Sequence, residues 1–195
     1  MATNATYLFE KPYRKFHNAE SWWTAYFTML VLWRSSSNNP LELPWYLSDK
    51  NGNLNLKGSV SFDAASYRNM VADARLYGEP FGLSEWPNGF LNLRPDVTFL
   101  KSSDRREVVF VETKTIGAKA QGNVALYARL RDFLRSKGWS AELYYLLSEG
   151  HEELSDWPIL EAAAASIILW EDVFKATAGS PFGELFAEPL SNFVK

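Results

Sequence analysis

Arg94-Pro95-Asp96-Val97-Thr98-Phe99-Leu100-Lys101 runs into the polar cluster Ser102-Ser103-Asp104-Arg105-Arg106 and continues as Glu107-Val108-Val109-Phe110-Val111-Glu112-Thr113-Lys114-Thr115. Two short runs rich in Val, Phe and Leu, split by turn-forming and charged residues, predict a β-hairpin. Strand side chains alternate between faces, so Glu112 and Lys114 share one face while Val111 and Thr113 point the other way. Antiparallel pairing sets Asp96, near the start of the first strand, against the end of the second. Asp96, Glu112 and Lys114 are therefore expected to converge at one end of the hairpin. Two carboxylates and an ammonium on an otherwise apolar hairpin are costly unless a cation and a substrate use them.

Working outward, residues 118–137 read as an amphipathic helix, with Val124, Leu126, Tyr127, Leu130, Phe133 and Leu134 on its inner face and Gly138 as its stop. The apolar run 141–147 reads as a strand, which makes that helix a crossover with a right-handed connection expected. Upstream, Asp63 is a candidate N-cap for a helix over 63–77 closed by Gly78. A short strand is expected within 81–86. Further back, 19–34 reads as a buried helix. Trp22, Tyr26, Met29 and Trp33 mark one face, widened by Trp23, Phe27 and Leu30. The Ser/Asn/Pro-rich stretch 35–44 reads as loop, followed by a short extended piece over 44–47. Asn51-Gly52 signals a tight turn in a small ribbon. Past the core, 159–165 is expected to be a short helix, 166–170 a last strand, and the chain from Val173 onward a mobile or helical tail. The chain thus reads as one α/β domain of 195 residues, with an N-terminal helix and accessory ribbon (1–62), a core (63–147) and an acidic extension (148–195).

Apolar residues make up 47% of the chain, ample for a core, and there is no cysteine, which removes disulfides and Cys-based zinc sites. That usage fits a cytoplasmic or nucleoid-associated protein. No run is long and apolar enough to predict a membrane span. The opening Met-Ala-Thr-Asn-Ala-Thr has no basic region followed by an apolar one, so no leader is expected. Net charge is −3, unevenly spread. Residues 1–93 balance, 94–137 carry ten basic and five acidic side chains, and 138–195 carry two basic and ten acidic. The one basic block coincides in sequence with the hairpin, a pattern suited to a phosphate-bearing partner.

Pro95-Asp96, then fifteen residues, then Glu112-x-Lys114 resembles the PD-(D/E)XK signature of the restriction-endonuclease-like nuclease superfamily. The resemblance covers the motif and the order of elements around it, roughly residues 63–147. It implies an αβββαβ core with a central mixed sheet flanked by helices. It also implies a metal-dependent nuclease that hydrolyses phosphodiester bonds, most often in DNA, using Mg2+ or Mn2+. Asp96 and Glu112 would each give the cation a carboxylate oxygen, with the Thr113 carbonyl as a third ligand, and Lys114 would act on the attacking water or the scissile phosphate. Many members add a carboxylate from an earlier helix. Glu20 is the first candidate for that metal and catalytic role, although an acidic residue in a helix's first turn also favours the dipole. Asp63 and Glu79 are alternatives.

Gln121 and Tyr127 follow Lys114. The exonuclease-like branch carries a Gln and a Tyr there, closer together than the six residues here, so Gln121 is a candidate catalytic, site-lining residue and Tyr127 reads as core. Arg94, Lys119, Arg129 and Arg135 are candidate phosphate contacts. His17 is similar in placement to the helix histidine of cap-snatching viral endonucleases, which would point to RNA and manganese. A capping or surface role is the plainer reading of His17, and His151 reads as solvated in an acidic loop. The expected partner is nucleic acid, with a homodimer or partner subunit allowed by the small size. The competing reading is a non-catalytic module of the same fold that binds nucleic acid or protein, its acidic C-terminal third suiting protein contact.

Overall fold

The computed structural model describes residues 20–36, 39–68, 90, 93, 95–102, 104–114, 124–147 and 157–178. Its elements in chain order are helix α1 (Glu20–Ser36), strands β1 (Leu41–Ser48), β2 (Leu54–Phe62) and β3 (Tyr67–Arg68), β4 (Val97–Ser102), β5 (Glu107–Thr113), helix α2 (Val124–Ser136), β6 (Ser140–Leu147), helix α3 (Trp157–Ala162), β7 (Ser166–Leu169) and helix α4 (Trp170–Thr177). Among the described residues the strands form one sheet in the order β2-β1-β7-β6-β5-β4-β3. The centre is parallel, with β5 on β6 and β6 on β7. Both flanks are antiparallel, β3 and β4 beside β5 on one side and β1 and β2 beside β7 on the other.

The sheet is mixed and helices flank it on both faces. Strand parity assigns every core side chain to one layer. Val109 and Val111 of β5, with Val97 and Phe99 of β4 and Tyr144 and Leu146 of β6, pack against Phe27, Leu30 and Val31 of α1 and Trp170 and Val173 of α4. Val108 and Phe110, with Leu143, Tyr145 and Leu147, pack against Tyr127, Leu130 and Leu134 of α2 and Leu160 of α3. A strand covered on both faces reads as a continuous apolar run rather than an alternating one, which is the character of 108–111.

The hairpin forms as the residues dictate. Val97 pairs with Val111, Thr98 with Phe110 and Phe99 with Val109. At its turn Arg106 sits at φ 55, and its Nη1 donates to the Lys137 carbonyl at 3.1 Å. The α2 crossover then sets β6 parallel to β5 over seven pairs, Glu107↔Ser140 through Thr113↔Leu146.

Several expectations are corrected. Where the helix expected over 63–77 is described, residues Ala64–Ser66 form a three-residue turn followed directly by β3, and 69–77 lie outside the described residues. The capping signal is real, since Asp63 Oδ1 accepts from Ala65 N–H at 3.0 Å. Pairing of Tyr67 with Phe99 and Arg68 with Thr98 overrides helix propagation. The strand expected within 81–86 lies outside the described residues.

The stretch expected as loop to Pro44 is strand from Leu41. Pro44 is tolerated because β7 pairs only with Tyr46 and Leu47, leaving Pro44 beyond that ladder. The ribbon is no accessory, since β1 joins it to the main sheet. Trp170 opens α4 instead of closing β7, and α3 begins two residues earlier than expected. The buried face of α1 holds Tyr26, Phe27 and Leu30 as expected and differs at Met29. Met29 is 52% exposed and Leu32 44%, while Phe27, Leu30 and Val31 are buried. An almost wholly apolar helix carries little periodic signal, so the expected face includes Met29 and omits Val31.

Two substitutions on α1 separate these faces. Phe27→Ala should lower the unfolding free energy by about 3–5 kcal/mol. Met29→Gln should change it by less than about 0.5 kcal/mol. Urea denaturation followed by circular dichroism reads both.

Candidate functional site

Asp96 stands one residue before β4 begins. Continuing the Val97↔Val111 register sets it across from Glu112. Glu112 in turn pairs with Tyr145 on β6. A row of polar side chains therefore crosses three strands at the carboxyl end of β5. The carboxyl ends of the other parallel strands, β6 and β7, lie on the same edge. In open α/β sheets this is the edge where ligands bind.

The ladder explains how the backbone serves the row. Lys114 N–H donates to the Leu146 carbonyl at 3.0 Å, so even-numbered residues of β5 turn their main-chain groups to β6 and Thr113 turns its own toward β4. Thr113 N–H meets no strand partner there and instead donates to Asp96 Oδ2 at 2.7 Å. The Thr113 hydroxyl donates to the same oxygen at 2.9 Å. By the same alternation the Thr113 carbonyl lies on the Asp96 side of β5. The Lys114 carbonyl accepts from the Trp170 indole Nε1 at 3.1 Å, which anchors Lys114 just past the strand end.

Lys114 Nζ lies 2.7 Å from Glu112 Oε1, both side chains nearly inaccessible. Glu112 Oε2 is buried with no hydrogen-bond partner among the described residues, as are Thr98 Oγ1 and the Tyr145 hydroxyl. A buried carboxylate oxygen left unsatisfied is expensive. Burial first, then the nearby Asp96 carboxylate, push the Glu112 carboxyl up to about 7, against the pull of the Lys114 ammonium and the Tyr127 hydroxyl. Burial and the Glu112 charge push the Tyr127 and Tyr145 hydroxyls well above the usual phenol range.

The donors present suit a hard cation. Two carboxylates and a main-chain carbonyl are oxygen ligands of the kind Mg2+ and Mn2+ prefer, with waters completing the sphere. The orphaned Glu112 Oε2 supplies the local reason for positive charge. Among the described residues no three His, Cys, Asp or Glu side chains gather into one group.

The structure brings Asp96, Glu112, Thr113 and Lys114 together. Glu20 opens α1 one turn before Thr24, whose hydroxyl lies 2.6 Å from that of Thr113. Gln121, His17, Glu79, Arg94, Lys119 and His151 lie outside the described residues. Asp63 is spent on its turn. Among the described residues, Arg106, Arg131 and Arg135 of the basic block are each held by main-chain carbonyls, and only Lys114 pairs with Glu112. Arg106 is tied to Lys137 at the opposite end of the hairpin, Arg135 Nε donates to the Ala141 carbonyl, and Arg131 donates to the carbonyls of Ala163 and Ala164. Hairpin turn and helix C-terminus set Arg106 and Arg135 away from the end that holds Asp96, while the Arg131 guanidinium lies close enough to the Tyr145 hydroxyl to pull against its upward shift. Tyr145 and Thr24 went unnoticed in the sequence. Parallel pairing of 141–147 with the second hairpin strand was the available signal for Tyr145, and no local signal pointed to Thr24.

The chain matches no family model, no curated protein and no solved structure.

The Glu112 carboxyl gives a signed pH dependence. Its folded value of about 7 lies above the ordinary 4.5. Between those values the folded chain holds a proton that the unfolded chain releases, so stability falls as pH rises. Without divalent cation, the melting temperature should drop from pH 5 to pH 8. Glu112→Gln should flatten that slope and exceed the wild type at pH 8, by up to about 3 kcal/mol at 1.36 kcal/mol per pKa unit. Melting curves in chelator-treated buffers read the difference.

Proposed function

We propose that this protein is a metal-dependent nuclease with a restriction-endonuclease-like core, acting on phosphodiester bonds with DNA as the favoured substrate. The observation that carries the reading is the meeting of Asp96, Glu112 and Lys114 at one strand end, with a buried Glu112 oxygen lacking a partner. Part of the element order supports it: the hairpin β4-β5, then the α2 crossover to β6 parallel with β5, fits the later half of the core order implied by the resemblance.

Asp96, Glu112 and the Thr113 carbonyl would hold the Mg2+ or Mn2+ ion. The bound cation supplies Lewis-acid charge neutralisation at the phosphate and lowers the pKa of water. Glu112 holds the ammonium of Lys114 in place through Oε1. Lys114 offers its N–H donors to orient the attacking water and to stabilise charge on a non-bridging phosphate oxygen. Asp96, exposed at the strand end, faces solvent where a polyanion can reach it. Tyr127 and Tyr145 wall the inner side of Glu112 with apolar rings set 6.4 Å apart edge to face, keeping its surroundings poor in water.

Supercoiled, linear and single-stranded DNA, and RNA, incubated with Mg2+ or Mn2+, form the direct assay. The wild type should cut at least one of them. Lys114→Ala and Asp96→Ala should each slow cleavage by about 100-fold or more, both still folded by circular dichroism, with Lys114→Ala melting lower because it leaves the buried Glu112 carboxylate without its ammonium partner. A folded wild type that binds nucleic acid and cuts none of the substrates would favour the non-catalytic module instead.

A further inference from the structure

Thr113 sits between Glu112 and Lys114 and turns its side chain to the opposite face of β5. There it touches Thr24 of α1, Oγ1 to Oγ1 at 2.6 Å, and it donates to Asp96 Oδ2 at 2.9 Å. A hydroxyl has one proton to give. Thr113 gives its proton to the carboxylate, so Thr24 must be the donor in the Thr24–Thr113 contact. The chain is ordered, running from Thr24 through Thr113 to Asp96. With the Thr113 N–H at 2.7 Å as a second donor on the same oxygen, the plane of the Asp96 carboxylate is fixed.

We propose that the Thr24 and Thr113 hydroxyls are positioning residues: a proton-ordered relay from α1 that orients the Asp96 carboxylate and thereby sets the affinity of the site for its divalent cation. This rests on the metal-site reading given above. Asp96 is exposed, so water alone would satisfy its oxygens, and a relay reaching it from a buried helix is not required for solvation. What the relay adds is direction. Partners that orient a ligating carboxylate typically change metal affinity by about 10–100-fold when removed. The valine variants keep the shape of threonine and delete only the hydroxyl.

Calorimetric titration of Mn2+ into the full, nucleic-acid-free chain tests this without reference to cleavage, with melting temperatures recorded alongside. Thr113→Val should weaken Mn2+ binding by about 10-fold, and Thr113→Ser should restore it to within about twofold. Thr24→Val should weaken it less. The double valine variant should equal Thr113→Val, because Thr24 acts only through Thr113. Wild-type affinity in Thr113→Val, or losses from the two positions that add, would overturn the relay. Should Thr113→Val fail to fold, wild-type affinity in Thr24→Val overturns it. A wild type that binds no Mn2+, with Asp96→Asn giving the same flat titration, would sink the cation site itself and the relay with it.

Discussion

The parallel pairing of β5 with β6 is the constraint from which the rest follows. Seven consecutive pairs place β5 inside the sheet, with β4 on its other edge and helices over both faces. Every residue from Val108 to Lys114 is consequently buried. For Val108 to Val111 this is ordinary core formation. For Glu112, at 4% exposure, it creates an electrostatic problem that Lys114 solves only in part, since one oxygen of the carboxylate stays unsatisfied. The fold and the candidate chemistry share one origin: the strand whose burial stabilises the sheet also holds a carboxylate where a cation would relieve it.

The two layers that cover the sheet also finish its working edge. From one face α1 reaches Asp96 through Thr24 and Thr113, and α4 fixes Lys114 through the Trp170 indole. Trp170 is itself fully buried among Tyr26, Phe27 and Phe174, so the Lys114 carbonyl is held by a rigid ring. The Tyr46 hydroxyl on β1 donates to Asp172 of α4 at 2.8 Å, linking the antiparallel flank to the same helix. From the other face α2 lays Tyr127 beside Glu112. Rigid elements thus converge on a strand end that open α/β sheets use for ligands.

The hairpin, the crossover helix and the following strand were legible because each carries a local signal: a turn cluster, a 3.6-residue period, an apolar run bounded by glycine. The meeting of Asp96, Glu112 and Lys114 followed from strand parity alone. What sequence could not show depended on partners far along the chain. Tyr67 and Arg68 become strand because Phe99 and Thr98 lie beside them, and no local pattern announces this. Leu41 to Leu43 read as loop from their Ser, Asn and Pro neighbours, and become strand because Phe62, Ser61 and Val60 lie beside them. The buried face of α1 was ambiguous because apolar residues surround that helix. The described arginines of the basic block scatter for a related reason. Neighbours in sequence along a hairpin and its following helix lie at both ends of the sheet, so charge density along the chain is no guide to charge density at the site.

The central claim is that Asp96 and Glu112 share a divalent cation. Anomalous diffraction from crystals soaked in Mn2+ tests it most directly. The account predicts one strong peak between the two carboxylates, bounded by the Thr113 carbonyl. A map with no peak there, and with Lys114 still paired to Glu112 at saturating Mn2+, would contradict it.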